Sequence, residues 1–358
     1  GQNLLNQLEE NSFANMLLAN TSLSDPGPDG IRGTPDDIVQ HHIGVDSFAR
    51  YDYVLEIEKA NQLIPDPEGN DPVLEGLGMG KVVRDDPTTA EMDTNYLRFS
   101  GGEHVVVGGT SGNDTIITSD GDDGIWGDDG DDFIESGFGV DLVNGGGGND
   151  IILDAGDEGD FLKGEDGDDV MATANGADVL MGGFGKDVIF LGADASEVFG
   201  GGGDDFIMGG DGADFLLGNE GNDWIEAGPG FDTTAGDNSE LFFNSKIIGH
   251  DVMFAGSDEH DFDAESGDDI MVQGASVMRN EGMFGFDWVT FKDMPVDAYA
   301  DMRIKIFTTD EQDILRNRSD KVEALSGWDH NDTLIGDDRV APAVGEVDDG
   351  IGGTENIF

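Results

Sequence analysis

The sequence predicts a mainly β chain: a parallel β-roll, preceded by an irregular, partly helical segment and followed by a β-rich extension. Three observations predict it. Residues 109–235 divide into consecutive nine-residue lines with the pattern G-G-x-G-x-D-x-U-x, where U is a large aliphatic residue. The eighth position is apolar in every line but the last, from Ile116 and Ile125 through Ile207 and Leu216 to Ile225, with Thr234 the exception. Glycine, 57 of 358 residues, is concentrated in the first four positions of the lines.

Each line assigns its residues two jobs. Glycines at positions one, two and four admit backbone angles closed to other residues and let carbonyl oxygens approach a cation. Positions seven to nine form a short strand. Because side chains alternate along a strand, the aspartate at six and the aliphatic at eight lie on the same face, one at the turn and one in the core. Two lines complete one coil, so adjacent lines are expected in opposite sheets.

The candidate metal ligands are the sixth-position aspartates: Asp114, Asp123, Asp132, Asp141 and Asp150, then, after one extra residue, Asp160, Asp169, Asp178 and Asp187. Ser196 interrupts the series, which resumes with Asp205, Asp214, Asp223 and Asp232. Calcium takes six to eight oxygen ligands, more than one line can supply, so a site needs two lines stacked on the same edge. Fourteen lines give about twelve such neighbours, an upper estimate of the ion count. The site that Ser196 borders is expected to be weak or absent. Without metal, the thin core and the clustered carboxylates predict an unfolded chain, so folding and binding are expected to be coupled.

Composition narrows the function. Seventy-eight Asp and Glu against 17 Lys and Arg leave a formal charge of −61, the wrong sign for nucleic acid or anionic membrane surfaces and the right one for millimolar divalent cations outside a cell. Cysteine is absent, so calcium rather than disulfides is the expected stabiliser. No stretch is long enough to span a bilayer and no signal peptide is visible; the first residue is Gly1, which reads as a piece of a longer chain.

The flanks are less regular. Residues 1–103 read as a helical and loop segment with a linker. Leu4, Leu5, Leu8, Phe13, Met16 and Leu17 are spaced for a helix within 1–24, and a second helix is expected over 46–64, although Tyr53, Val54, Leu55 and Ile57 form a β-prone run within it. The loop at 25–37 carries four aspartates, which fit either a further calcium or a solvated Pro/Gly turn. Residues 65–103 read as linker, and Glu103 to Val107 as the first cap strand leading into a roll spanning 104–240. Residues 241–340 read as degenerate repeats with a β-rich extension. They include the acidic cluster 258–265, D-x-U steps at Asp251, Asp269 and Asp287, and a late line that adds Asp332 to the candidate ligands. Residues 341–358 read as an acidic tail or a link onward.

Inside the roll, positions seven and nine are unexpectedly apolar: Phe133, Ile151, Phe206 and Trp224 at seven, Trp126, Phe190, Phe199 and Met208 at nine. Outward apolar faces of this kind predict cover by flanking segments of the chain or by a second copy.

No catalytic constellation stands out. The six histidines show no zinc spacing, and the zinc-protease, nucleophile-elbow, phosphate-loop and dinucleotide motifs are missing from the sequence.

The nonapeptide run at 109–235, with the line at 327–337, resembles the RTX (repeats-in-toxin) family. That resemblance implies a parallel β-roll, calcium binding and type I export into calcium-rich surroundings. A narrower one lies in LLNQLEENSFAN at 4–15, GDDIMV at 267–272, EGMFGFDWVT at 281–290 and LSGW at 325–328. These resemble the region that follows the catalytic domain in very large secreted bacterial haem peroxidases of the animal type. The implication is a structural module beside such a domain, with any haem held upstream and none here. A different reading is a subunit of an extracellular assembly (surface layer, adhesin or filament) that associates through the apolar faces.

Overall fold

The structure, a computed structural model, describes residues 93–337 apart from 103, 238–248, 258–259, 309–312 and 314–315; outside that stretch it describes 23–25, 38–40, 53–57, 82–83, 86, 88–89, 347–348 and 354–355. The chain divides into two compact units, Gly1–Lys163 and Gly164–Phe358.

In the first unit, Tyr53–Glu56, Val105–Thr110, Gly124–Asp129 and Leu142–Gly147 form one parallel sheet. Tyr96–Phe99, Thr115–Ile117, Phe133–Glu135 and Ile151–Leu153 form the other, with Val82–Val83 added antiparallel at its edge. Partners within the repeat lines are 18 residues apart, as in Val143 with Ile125 and Ile152 with Ile134. That is two nine-residue lines per coil, with successive lines in alternate sheets. Strands such as Leu142–Gly147 are six residues long because the first three turn positions of the next line, Gly145 to Gly147, continue the ladder. Those of the facing sheet stop after three residues, so the two edges of a coil are not equivalent.

The second unit repeats the scheme and carries it past the regular lines. Val179–Phe184, Glu197–Gly202, Phe215–Glu220, Asp232–Ala235, His260–Asp263, Met278–Glu281 and Arg318–Asp320 pair in parallel. Facing them are Val170–Ala172, Val188–Phe190, Phe206–Met208, Trp224–Glu226, Val252–Phe254, Ile270–Val272, Trp288–Thr290 and Ala324–Ser326. The fold is therefore a parallel β-roll, as the periodicity predicts; the C-terminal extension continues the two ladders as far as Arg318–Asp320 and Ala324–Ser326, while Tyr299–Asp301 and Thr333–Ile335 pair with each other in a separate sheet.

The core is the eighth-position column. Ile116, Ile125, Ile134, Val143 and Ile152 in the first unit, and Met171, Leu180, Ile189, Val198, Ile207, Leu216 and Ile225 in the second, are fully buried. Met253, Met271 and Val289 continue it. Thr234, the exception in sequence, is buried in the same column. Further along, Asn280 takes a core place, and its amide exchanges hydrogen bonds of 2.8 and 3.0 Å with the amide of Gln273, so that a closed polar pair replaces an aliphatic side chain.

Two expectations are corrected, and the residues that carry a third, Leu4 to Leu17, lie outside the described residues. The helix over 46–64 is contradicted at Tyr53–Glu56, which is a strand paired with Val105–Thr110; the β-branched and aromatic run outweighs the helical spacing. The linker over 65–103 contains Val82–Val83 and Tyr96–Phe99, both in the sheet. The strand beginning the roll is therefore earlier than Val105. Of the helix expected within 1–24, only Leu23 and Ser24 are described, and they belong to Leu23–Asp25, a strand antiparallel to Ile38–Gln40. Residues 26–37 lie outside the described residues.

The apolar side chains at positions seven and nine do point away from the core. Neighbouring coils shield one another: Phe190 lies 6.2 Å from Phe206, Phe199 6.5 Å from Phe215, and Trp224 4.8 Å from Phe254 between ring centres. Most are half-buried in this way, and Trp126 and Leu217 are buried. Ile151, Met208 and Trp224 keep 42, 37 and 41 % of their surface exposed in the single chain.

Candidate metal centre

At the turns that precede the short strands, the sixth-position aspartates form a column. In the first unit it contains Asp114, Asp132 and Asp150; the N–H of Asp114 donates to Asp132 Oδ1 (2.7 Å) and that of Asp132 to Asp150 Oδ1 (2.8 Å). In the second unit the same bond links Asp169, Asp187, Asp205, Asp223, Asp251, Asp269 and Asp287 at 2.8–3.1 Å. The column ends when the Asp287 N–H donates to Glu323 Oε2 (3.0 Å).

The opposite edge is less uniform. In the first unit, Asp123, Asp141 and Asp160 are linked in the same way. In the second, Asp178 donates to the hydroxyl of Ser196 (3.1 Å), Ser196 to Asp214 and Asp214 to Asp232. His260 then pairs in register with Asp232, Met278 with His260, and the Met278 N–H donates to Asn317 Oδ1. His260 Nε2 and Asp232 Oδ2 are 2.6 Å apart and fully buried. Along one edge the carboxylates of this unit are unbroken; along the other they give way to an alcohol, an imidazole, a thioether and an amide.

The ladder uses one oxygen of each aspartate. The second oxygens of Asp123, Asp132, Asp141, Asp187, Asp205, Asp214, Asp223, Asp251, Asp269 and Asp287 are buried and have no hydrogen-bond partner. On the unbroken edge they converge with main-chain oxygens. A Cβ placed on Gly127, Gly182, Gly200 or Gly218 would run into the Oδ2 of Asp132, Asp187, Asp205 or Asp223, and also into the carbonyl of the first glycine one coil on. Gly182→Ala is therefore expected to cost about 1–3 kcal/mol by overpacking, read as a rise in the calcium concentration at the folding midpoint.

Buried carboxylate and carbonyl oxygens facing one another without a donor repel unless a cation lies between them. An all-oxygen donor set fits a hard cation of the calcium type rather than a thiolate- or imidazole-seeking metal. Burial, reinforced in most cases by neighbouring aspartates, raises the carboxyl pKa: to about 6 for Asp123 and Asp205, about 7 for Asp132, Asp187 and Asp214, about 8 for Asp141, Asp223, Asp251 and Asp287, and about 9 for Asp160 and Asp269.

Ser196 keeps the ladder and removes the carboxylate; its hydroxyl also lies 3.4 Å from the Gly176 carbonyl and 3.3 Å from that of Asp194. Ser196→Asp is expected to add about one calcium ion per chain by calorimetry, because it restores a charged ligand at an otherwise regular turn.

Asp332 stands apart from both columns. Its line pairs with Tyr299–Asp301, and its carboxylate accepts main-chain N–H bonds from Ala298 and Trp328, which lower its pKa. Of the cluster at 258–265, residues 258–259 lie outside the described residues, and Asp261 is held in an ion pair with Arg279. Four further buried carboxylates belong with the candidate site: Asp251, Asp269 and Asp287, and Asp237, whose Oδ1 is buried without a hydrogen-bond partner. The first three are the D-x-U steps read in the sequence, 18 residues apart; they did not stand out as ligands because the intervening half-coils have lost the nine-residue pattern.

The family model of the RTX calcium-binding nonapeptide repeat (4 copies) matches residues 108–143, 126–153, 144–180, 154–189 and 199–234. Among curated proteins, none matches the chain. No helix among the described residues is long and apolar enough to cross a membrane.

Proposed function

We infer, from the match of residues 108–189 and 199–234 to the RTX calcium-binding nonapeptide repeat, that the chain carries a calcium-binding β-roll module. From that premise we propose that the chain is the structural module of a large secreted bacterial protein, kept unfolded where calcium is scarce and folded by calcium after type I export. The observation that carries this reading is the set of buried aspartate oxygens without hydrogen-bond partners, repeated coil after coil. While its carboxylates are ionised, such a stack is tolerable only with cations in it, and a charge of −61 without cysteine suits an extracellular or cell-surface setting where calcium is millimolar. Of the candidate ligands, Asp114 to Asp232 fall in the matched lines and Asp332 outside them.

The parent is proposed to be a haem peroxidase on the resemblance of residues 4–15, 267–272, 281–290 and 325–328 alone, with this module holding a neighbouring domain. The second reading, an extracellular assembly of copies of this chain, is favoured by the exposed apolar residues Ile151, Met208 and Trp224 on the outer strands.

A calcium titration followed by far-UV circular dichroism tests the core of the proposal. The expected folding midpoint lies well above cytosolic calcium; a chain fully folded at submicromolar calcium contradicts folding after export. Mass spectrometry of the native polypeptide separates the two parents: an attached peroxidase domain supports the first, a homopolymer without one the second.

A further inference from the structure

We propose that Asp141, Asp154 and Asp160 form a cation site of a different kind from the repeat turns, richer by one carboxylate, and that it is the first in the chain to take calcium and the last to release it. This rests on the calcium reading above. It starts from an irregularity within the repeat lines: the ladder step from Asp141 to Asp160 is 19 residues rather than 18.

The longer turn begins with Asp154. One and two coils earlier the same place holds Ser136 and Thr118, both buried. Each of these three positions therefore brings a small polar group to this edge, but only the third brings a charge. Asp154 is itself buried, and one oxygen from each of Asp141, Asp154 and Asp160 lies within 4.8 Å of the others.

The local hydrogen bonds fix the three side chains in place. Asp141 Oδ1 accepts the Asp123 N–H (2.8 Å), and Asp160 Oδ1 accepts the Asp141 N–H (2.6 Å). Asp154 accepts the Ser136 hydroxyl at Oδ1 (3.1 Å) and the Gly156 N–H at Oδ2 (2.9 Å). Asp141 Oδ2 is buried and accepts no hydrogen bond. Gly156 backs onto the group: a Cβ there would lie 3.5 Å from both oxygens of Asp154 and from Asp160 Oδ2. Three acidic groups thus converge on a small space bounded by main chain.

Calcium affinity rises with the number of charged ligands. A repeat turn offers the carboxylates of two stacked lines, whereas this one offers three. Calcium is favoured over magnesium, which keeps its waters and demands a regular octahedron. Because each coil of a solenoid is stabilised chiefly by its neighbours, the first coil to close is a template for the next. The three-carboxylate turn is placed to be that nucleus in the first unit.

The test uses the full chain and calcium alone, with Asp154→Asn, which removes the charge at constant shape, and Asp154→Ser, which installs the residue found one coil earlier. Calorimetry against a competing chelator is expected to find one ion in the wild type held more tightly than the rest. Both variants should lose that ion, with the tightest affinity weakened roughly tenfold or more. Their folding midpoint should move to higher calcium and their β spectrum at saturating calcium should be unchanged. Variants that keep the wild-type tight ion, or a wild type with no distinct tight ion, overturn the site while leaving calcium-dependent folding intact. A wild-type chain that folds without calcium overturns both.

Discussion

Removing calcium from the full chain is expected to abolish its β-sheet far-UV spectrum, and restoring calcium to bring it back. The reason is the thinness of the core. Each line buries one aliphatic side chain at position eight, such as Ile189 or Ile207, for nine residues whose backbones must all be ordered. Fixing a backbone costs about 1–2 kcal/mol per residue, and glycine loses the most freedom on folding. The carboxylate columns add repulsion, since Asp205, Asp223, Asp251 and Asp269 stand on successive coils with buried oxygens that no hydrogen bond satisfies. Cations supply attraction at those points and turn the costliest part of the fold into its main source of stability. A β spectrum unchanged in excess chelator would refute the account.

The second large effect is on pH, and its sign reverses with metal. In the metal-free chain the buried aspartates titrate above their ordinary value of 3.8, from about 6 for Asp123 to about 9 for Asp160 and Asp269, chiefly through burial. A group whose folded pKa lies above its unfolded one favours the folded state at low pH. That contribution is complete below about pH 4 and is lost as pH climbs through the range from about 6 to about 9. Each such group is worth on the order of a few kcal/mol. The chelated chain should therefore gain β structure on acidification from pH 8 towards pH 4. With calcium present, protons compete for the same oxygens, so the folding midpoint should move to higher calcium as pH falls, and binding at neutral pH should release protons into a weakly buffered solution. A chelated chain that loses residual structure on acidification would contradict the burial of these groups, and calcium binding without proton release would contradict their raised pKa values.

Much of this was legible in single lines. The pairing of Asp187 with Ile189, or Asp205 with Ile207, places a ligand and a core residue two apart, and the spacing repeats at a fixed step. Less legible were the strands at Tyr53–Glu56 and Tyr96–Phe99, which sit among residues without the nine-residue signature and are recruited by the exposed edges of the first coils. The difference between the two edges was also not legible, because nine-residue counting treats consecutive lines alike. In the structure, glycine begins the turn at Gly182, Gly200 and Gly218 on one edge, whereas the other begins it with Thr173, Leu191 and Gly209 in turn.

By itself the sequence determined the coil: turn, ligand, strand and core residue all follow from glycine's backbone freedom and from side-chain alternation, which act within nine residues. Only the tertiary structure decided which carboxylates meet. Asp205 is stacked on Asp223, 18 residues on; Asp223 on Asp251, 28 on; and Asp287 on Glu323, 36 on. Steps of such unequal length return to one column because the sheet edge offers hydrogen bonds in a single register, a constraint that exists only once the preceding coil has formed.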